Sequence, residues 1–262
     1  MYGKKANSIF RRRNILIMLC LIFFGISATI ILALVLGQKT GDFVIRVQDG
    51  NADKSIMITT TKPEDPVDKE TLSPILTPKG ATGFTDYSPH FFLKDGFTKI
   101  EEYTSEDNTV DGLYTHSEGD GQSVSLYCYT FYVVNTGGSA VNVDVSMDYF
   151  VDNTSELDDI IRVMSYTRDQ NNNEKAIIYQ KPDEVEYTYD RYPQLDGLKL
   201  TEFRSESIVF DDENLFVDLG SYVKYSVFFW IEGDDPDSAI NPERFYNQTI
   251  KFELNLKVNM GV

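Results

Sequence analysis

The segment Val141–Val151 reads VNVDVSMDYFV and carries the clearest pattern in the chain. Apolar residues occupy every odd position, while Asn, Asp and Ser occupy the even positions up to Asp148. Successive side chains of a β-strand point to opposite faces, so this alternation predicts a strand with one buried and one solvated face. The segment Ile250–Val258, IKFELNLKV, alternates in the same way and predicts a second strand of this kind.

Other segments extend this β pattern along the chain. Ser123–Asn135 is apolar or aromatic on both faces, which is typical of a central strand covered on two sides, and the turn NTGGS (residues 135–139) connects it to Val141. Further segments typical of strands are Ile161–Thr167, Ala176–Gln180, Val185–Tyr189, Ser207–Phe210, Leu215–Leu219 and Tyr222–Ile231. We therefore predict a mainly β domain over residues 84–262, built as an antiparallel β-sandwich.

Near the amino terminus, residues 15–36 form a run of twenty-two residues without a charge. At about 1.5 Å per residue the run spans about 33 Å, enough to cross a hydrocarbon core of about 30 Å. Five basic residues lie in the preceding tail, residues 1–14, which predicts a cytoplasmic amino terminus and an extracellular remainder. The sequence thus predicts a single-pass protein of the cell membrane that contacts the lipid bilayer through residues 15–36. A cleaved signal peptide is the alternative, although its apolar region usually has only about 7–15 residues.

Two short apolar segments follow the predicted membrane segment. They are FVIRV (residues 43–47) and SIMITTT (residues 55–61), and the polar turn between them predicts a membrane-proximal β-hairpin over residues 42–61. An isolated hairpin is marginally stable, so we expect these strands to pair with the main sheet or with a neighbouring chain. Four prolines among residues 62–83 predict an extended linker, after which residues 84–262 are expected to fold as a separate domain.

The chain is strongly acidic, with a net charge of −17. Leaving out the five amino-terminal basic residues makes the remainder more acidic still, at about −22. Nucleic acid is a poor partner for such a surface, because binding to phosphates needs clustered Lys and Arg. Divalent cations or basic protein surfaces fit better, and an acidic surface that only keeps the protein soluble fits equally well.

Cysteine and histidine usage limits the chemistry. Of the two cysteines, Cys20 lies in the predicted membrane segment, so Cys128 has no disulfide partner in the extracellular part and is interpreted as a buried apolar residue. The two histidines, His90 and His116, form no zinc-binding His-Glu-x-x-His pair. Nucleophile elbows and phosphate-binding loops are also absent from the sequence, and we predict that the protein is not an enzyme.

The densest group of functional residue types is the segment FWIEGDDPDSAI, which begins at Phe229 and contains the chain's only tryptophan. Like charges this close repel each other, and a hard cation such as Ca²⁺ with oxygen ligands would relieve the repulsion. A solvated acidic turn, whose carboxylates accept hydrogen bonds from local amides, fits the same residues. The candidate metal ligands are Glu232, Asp234, Asp235 and Asp237.

The same segment resembles the acidic motif of the TasA and camelysin group of bacterial surface proteins. The upstream YTFYVVNTGGS and the downstream NQTIKFELNLKV extend the resemblance over about residues 84–258. It implies a jelly-roll-like sandwich and, for some members, assembly into biofilm-matrix fibres through strand exchange between subunits. The metalloprotease activity described for camelysin is not implied, because the matching positions supply no zinc ligands.

We therefore expect a membrane-anchored structural or adhesion protein of the cell surface. Its partners would be like subunits or other surface proteins, bound through exposed strand edges. The candidate self-association residues are Phe43, Ile45, Val47, Ile56 and Ile58. An alternative is a calcium-assisted binding module for envelope glycan or another surface polymer. The sequons at Asn153 and Asn247 would carry glycans only in a host with the required machinery.

Overall fold

The computed structural model describes residues 43–48, 56–64, 86–87, 97–117, 124–151, 156–182, 198–233 and 248–259. The chain divides into two compact units, residues 1–40 and 41–262, and every described element belongs to the second unit. The predicted tail and membrane segment lie outside the described residues, as does the predicted linker beyond Glu64. In the described part of the chain, no helix is both long and apolar enough to cross a bilayer.

Strands dominate the described residues, which confirms the prediction of a mainly β protein. The strands are β1 (Phe43–Gln48), β2 (Ile56–Thr59), β3 (Asp86–Tyr87), β4 (Leu113–His116), β5 (Leu126–Asn135), β6 (Val141–Val151), β7 (Ile161–Asp169), β8 (Glu174–Gln180), β9 (Leu198–Glu202), β10 (Ile208–Val217), β11 (Tyr222–Glu232) and β12 (Ile250–Asn259). The helices are α1 (Phe97–Tyr103) and α2 (Leu157–Ile160), and a 3-10 turn covers Glu106–Asn108.

The strands form two sheets. Sheet A has four strands in the order β1-β12-β6-β10, and sheet B has eight, of which six run in the order β2-β5-β11-β7-β8-β9. The short strands β3 and β4 pair with β11 and β5. Most neighbours are antiparallel, as predicted, but β1 with β12, β3 with β11 and β8 with β9 are parallel. Both sheets are therefore mixed. Parallel neighbours need a long connection between them, and the partners in these three pairs are all separated by a long stretch of chain.

One hydrophobic core lies where the two sheets meet, and both sheets contribute side chains to it. The odd-numbered residues of β6 from Val141 to Tyr149 are all buried, which confirms the predicted alternation. Across the core, the ring of Phe252 on β12 lies 4.6 Å from that of Phe229 on β11. Burying a side chain of this size contributes about 1.5–3 kcal/mol, so the contact between the sheets accounts for much of the stability of the fold.

A second, smaller core covers the other face of sheet B. Here Ile100 of α1 joins a group of fully buried residues that includes Phe228, Trp230 and Cys128. Because this second core packs on the outer face of sheet B, β5 and β11 are apolar on both faces. This confirms the prediction that β5 is a central strand covered on two sides. Burial raises the pKa of the Cys128 thiol to about 12, so this cysteine is a packed apolar residue, as predicted.

The strands of the predicted hairpin do not pair with each other. β1 is parallel to β12 in sheet A, whereas β2 is antiparallel to β5 in sheet B. The sequence pattern of a hairpin, two apolar segments around a polar turn, is also produced when the chain crosses from one sheet to the other. The expectation that these strands pair with the main sheets holds. Because Phe43, Ile56 and Ile58 belong to the main core, the folded unit includes them, and a boundary at residue 84 does not separate a domain.

The NTGGS turn also connects the two sheets, because β5 lies in sheet B and β6 in sheet A. The buried side chain of Asn135 holds this connection in place. Its Nδ2 donates to the carbonyl oxygens of Ser139, Val217 and Asp218 at 2.8, 3.2 and 3.1 Å. Its Oδ1 accepts from the Gly137 amide at 2.9 Å. A single side chain therefore ties the turn to the end of β10.

The predicted strands Ser207–Phe210 and Leu215–Leu219 are parts of one strand, β10. Register shifts at Ile208/Phe210 and Phe210/Glu213 interrupt its pairing with β6. The polar residues of Asp211–Asn214 interrupt the apolar pattern of this strand, so the sequence shows two segments where the structure has one.

Candidate functional site

The predicted self-association residues lie in two different sheets. Phe43, Ile45 and Val47 belong to β1, and Ile56 and Ile58 belong to β2. Phe43 and both isoleucines of β2 are buried in the main core, Ile45 is partly buried against it, and Val47 is 42% exposed. Most of these residues thus pack in the core of their own chain. Of the two strands, only β1 has a buried residue, Phe43, at one end and an exposed residue, Val47, near the other.

β1 is the edge strand of sheet A. Its register runs from Phe43 opposite Phe252 to Gln48 opposite Lys257. The ring of Phe43 fits between the sheets, with centroid distances of 5.2 Å to Phe229 and 5.9 Å to Tyr129 in edge-to-face geometry. On the outer face, Arg46 forms an ion pair of 2.7 Å with Glu253 of β12. β1 is thus held by the packing of Phe43 and Ile45, by one surface ion pair and by a parallel ladder.

The opposite edge of sheet A, β10, contains a buried carboxylate. Glu213 points inward and accepts hydrogen bonds from the hydroxyls of Ser165, Tyr179 and Tyr225 at 2.5, 2.6 and 2.7 Å. These three donors belong to sheet B, so the carboxylate bonds the two sheets together. Burial and the charge of Glu213 raise the pKa of Tyr225 well above its ordinary value, which keeps this phenol a donor. An inward charge and register shifts make an edge strand a poor template for another chain, and β10 has both.

The acidic motif at the end of β11 is described only as far as Gly233. Glu232 is fully buried, and its carboxylate accepts a hydrogen bond of 3.1 Å from Trp230 Nε1. The other candidate calcium ligands, Asp234, Asp235 and Asp237, lie outside the described residues. Among the residues that are described, no group of three or more His, Cys, Asp or Glu side chains is arranged to hold a metal ion. The calcium site stays a prediction.

A polar cavity of about 450 Å³ lies beside α1 on the outer face of sheet B. Its inner wall contains the buried side chains of Tyr132 and Lys224, from β5 and β11. Glu101 of α1 and Arg168 of β7 are half-buried beside them, and the exposed Asp107 lies at the rim. Four elements, α1, the 3-10 turn, β7 and β11, therefore bring charges of both signs to one concave surface.

Glu101 is the central acceptor of this cavity. Its Oε1 lies 3.0 Å from Lys224 Nζ and 2.8 Å from Arg168 Nη1, and its Oε2 accepts from the Tyr166 hydroxyl at 3.1 Å. Burial alone would raise the pKa of Glu101, but the hydrogen bonds and charges of Lys224 and Arg168 outweigh it and lower this pKa. Burial lowers the pKa of Lys224, which Glu101 only partly opposes.

The turn between β7 and β8 positions Arg168. Asp169 Oδ1 accepts from the amides of Asn171 and Asn173, both at 2.8 Å, which fixes the turn. Asn172, at a φ of 62°, then places its Oδ1 3.2 Å from Arg168 Nε and 2.8 Å from Nη2. The guanidinium is held on one side by Asn172 and on the other by Glu101, so its direction is set before any ligand binds.

No pattern in the sequence predicts this cavity. Glu101 and Arg168 carry no motif, and their distance in the sequence hides their contact. The one available signal was Lys224, a basic residue within the apolar run YVKYSVFFWIE of β11. A buried lysine needs a partner or a ligand, but no sequence pattern identifies Glu101 as that partner.

Comparison with known proteins adds no relative. A scan against protein-family models found no match, and searches of curated proteins and of solved structures found none either.

Proposed function

We propose that the chain is a membrane-anchored structural protein of the cell surface, without catalytic activity, which assembles with like subunits by exchanging β1. The chain would be anchored through residues 15–36, with its β domain outside the cell. In an assembly, β1 of one copy would occupy the position beside β12 of the next. We further propose that the two sheets form the jelly-roll-like sandwich implied by the resemblance to the TasA and camelysin group.

The observation that carries this proposal is the place of β1 in sheet A. β1 is a six-residue edge strand, and Phe43 fills a space between the sheets beside Tyr129 and Phe229. Without that side chain the space would be a cavity, which lowers the stability of the fold. The folded state therefore favours a bound β1, whether it comes from the same chain or from another. Exchange of an identical element leaves the contacts unchanged, which makes it a route to association of low energetic cost.

The position of β1 in the sequence also supports exchange. Six residues separate the predicted membrane segment from Phe43, so β1 would lie close to the bilayer. Copies anchored in one membrane have a high effective concentration for each other's β1. The other edge of sheet A is the less suitable contact, because β10 carries the inward carboxylate of Glu213.

A disulfide that ties β1 to its own β12 tests the proposal. Arg46 and Asn255 are direct neighbours across the two strands, so Arg46→Cys with Asn255→Cys is suited to forming an internal disulfide. The control, Ser146→Cys with Asn255→Cys, joins β6 to β12 and leaves β1 untied. The mass of each full-length protein in detergent is measured by light scattering at increasing concentration, before and after reduction.

With the disulfides closed at high dilution, where the protein is monomeric, we expect the control to associate on concentration in both states. The β1-tied variant should stay monomeric on concentration while oxidised and should associate after reduction. A wild-type protein that stays monomeric at all concentrations would overturn the proposal. Equal association of the oxidised β1-tied variant and the control would do the same.

A further inference from the structure

We propose that the cavity beside α1 binds a small zwitterion that carries both a carboxylate and an ammonium group, namely a free α-amino acid or a dipeptide with free termini. The inner wall of the cavity would bind the carboxylate, and the acidic rim would bind the ammonium group. This inference is independent of the exchange of β1, since the cavity lies on the outer face of sheet B.

The inner wall has more N–H donors than Glu101 and Asn172 use. The Lys224 side chain is only 7% exposed, and among the described residues its ammonium group has one partner, Glu101. An ammonium group has three N–H donors, so two are left. Arg168 uses Nε and Nη2 on Asn172 and Nη1 on Glu101, which leaves one N–H on each terminal nitrogen. A carboxylate placed here would accept charge-assisted hydrogen bonds from both cations.

The rim supplies the opposite charge. Glu106 and Asp107 are exposed carboxylates at the mouth of the cavity, where Glu106 also accepts a hydrogen bond from the Lys62 amide. The lining as a whole has three basic and four acidic side chains, so it does not favour a ligand with a large net charge. Two cations that share the single carboxylate of Glu101 in the interior, and two further carboxylates at the mouth, match a ligand with two opposite charges in one short molecule.

The tyrosine side chains and the volume of the cavity further define the class of ligand. The rings of Tyr132 and Tyr222 meet edge to face with centroids 5.6 Å apart, and they give the cavity an apolar surface beside the charges. Burial, followed by the charges of Glu106 and Glu101, raises the pKa of Tyr132, which keeps its hydroxyl neutral. A volume of about 450 Å³ is near the lower end of the range of about 300–1,000 Å³ for ligand pockets. One or two amino-acid residues suit this volume better than a polymer does.

Equilibrium dialysis tests the ligand class. The full-length protein in detergent is dialysed against a mixture of free α-amino acids and dipeptides with free termini, and the retained compounds are identified by mass spectrometry. Parallel mixtures carry an acetylated amino terminus or an amidated carboxyl terminus. We expect retention of peptides with both free termini and at least about tenfold weaker retention of either capped form, since each cap removes a charge-assisted hydrogen bond. No retention, or equal retention of the capped forms, would overturn the proposal.

Variants locate the binding. Arg168→Gln should weaken retention about tenfold or more, because it removes a charged donor from the inner wall. Asp107→Asn should weaken it about two- to fivefold, because the lost ion pair is exposed. Since Asp107 is exposed, this second variant also serves if Arg168→Gln fails to fold. The matched control Glu206→Gln changes an exposed carboxylate outside the cavity and should have no effect. Retention unchanged in both cavity variants, or weakened equally in the control, would contradict the proposal.

Discussion

Gly112 controls how two strands share one edge of β5. β2 and β4 both pair with that edge, β2 near its carboxyl end and β4 near its amino end, and Gly112 lies between them. It has a φ of +82°, and its carbonyl accepts a hydrogen bond of 2.7 Å from the Thr130 amide. A Cβ at this position would lie 2.3 Å from the Thr130 carbonyl oxygen and 2.7 Å from Thr60 Cγ2. Only glycine fits both the conformation and the space.

Three glycine-to-alanine variants separate conformation from contact. Gly112→Ala has a positive φ and a backbone clash, and should lower the free energy of unfolding by more than about 2 kcal/mol. Gly220→Ala has a positive φ of 65° and open space, and should cost about 1 kcal/mol. Gly138→Ala has neither constraint and should stay within about 0.5 kcal/mol of wild type. Urea unfolding of residues 41–262 measures all three, and an unchanged stability of Gly112→Ala would show that the β2–β4 junction is wrongly described.

At the scale of elements, α1 is attached to sheet B in two ways. Ile100 packs into the smaller core, and Glu101 bonds to Lys224 and Arg168 on β11 and β7. The apolar contact does not depend on pH, whereas the ion pairs require an ionised carboxylate. Protonation of Glu101 in acid therefore removes the ion pairs of α1 and leaves its apolar contact.

The pH dependence follows from the sign of the Glu101 shift. Its pKa is lower in the folded protein than the ordinary value of 4.5, so the folded state holds its proton less tightly than the unfolded state does. The resulting stabilisation is present above pH 4.5 and is lost as the pH falls through the lower folded-state pKa. We expect Glu101→Gln to unfold more easily than wild type at neutral pH, and this difference to shrink in acid. A constant difference in urea unfolding from neutral to acid pH would contradict this account.

The strands also show what the sequence could and could not predict. Val141–Val151 and Ile250–Val258 were correctly predicted because each has one face in the core and one in water, and alternation reports that difference directly. The hairpin of β1 and β2 was wrongly predicted because alternation identifies a strand but not its partner. In a protein of two packed sheets, strands that follow each other along the chain can belong to different sheets, as β5 and β6 also do.

At the scale of the whole molecule, the first and the last described strands are neighbours in sheet A. β1 begins at Phe43 and β12 ends at Asn259, and these strands are neighbours. The sheet is complete only when the segment after the predicted membrane anchor is in place. The domain and its proposed assembly thus depend on the same strand.

The cavity shows the limit of sequence reasoning at this scale. Its charges are separated by tens of residues in the chain, and only the packing of α1 against sheet B brings Glu101 to Lys224. Residue types alone predicted an acidic surface and placed the candidate site at the acidic motif. The mixed charges and tyrosines of the cavity depend on tertiary contacts that no local pattern records.

Disulfide cross-linking between differently tagged full-length chains tests the exchange of β1 most directly. One chain carries Arg46→Cys and the other Asn255→Cys, so the two cysteines become neighbours only if β1 of one chain pairs with β12 of the other. The control mixture replaces Asn255→Cys with Asn142→Cys, which is exposed on β6 and has no contact with β1 in the ladder. Our account predicts a disulfide-linked pair of unlike chains well above the control. It would be contradicted if no such pair formed while the double variant closed its internal disulfide.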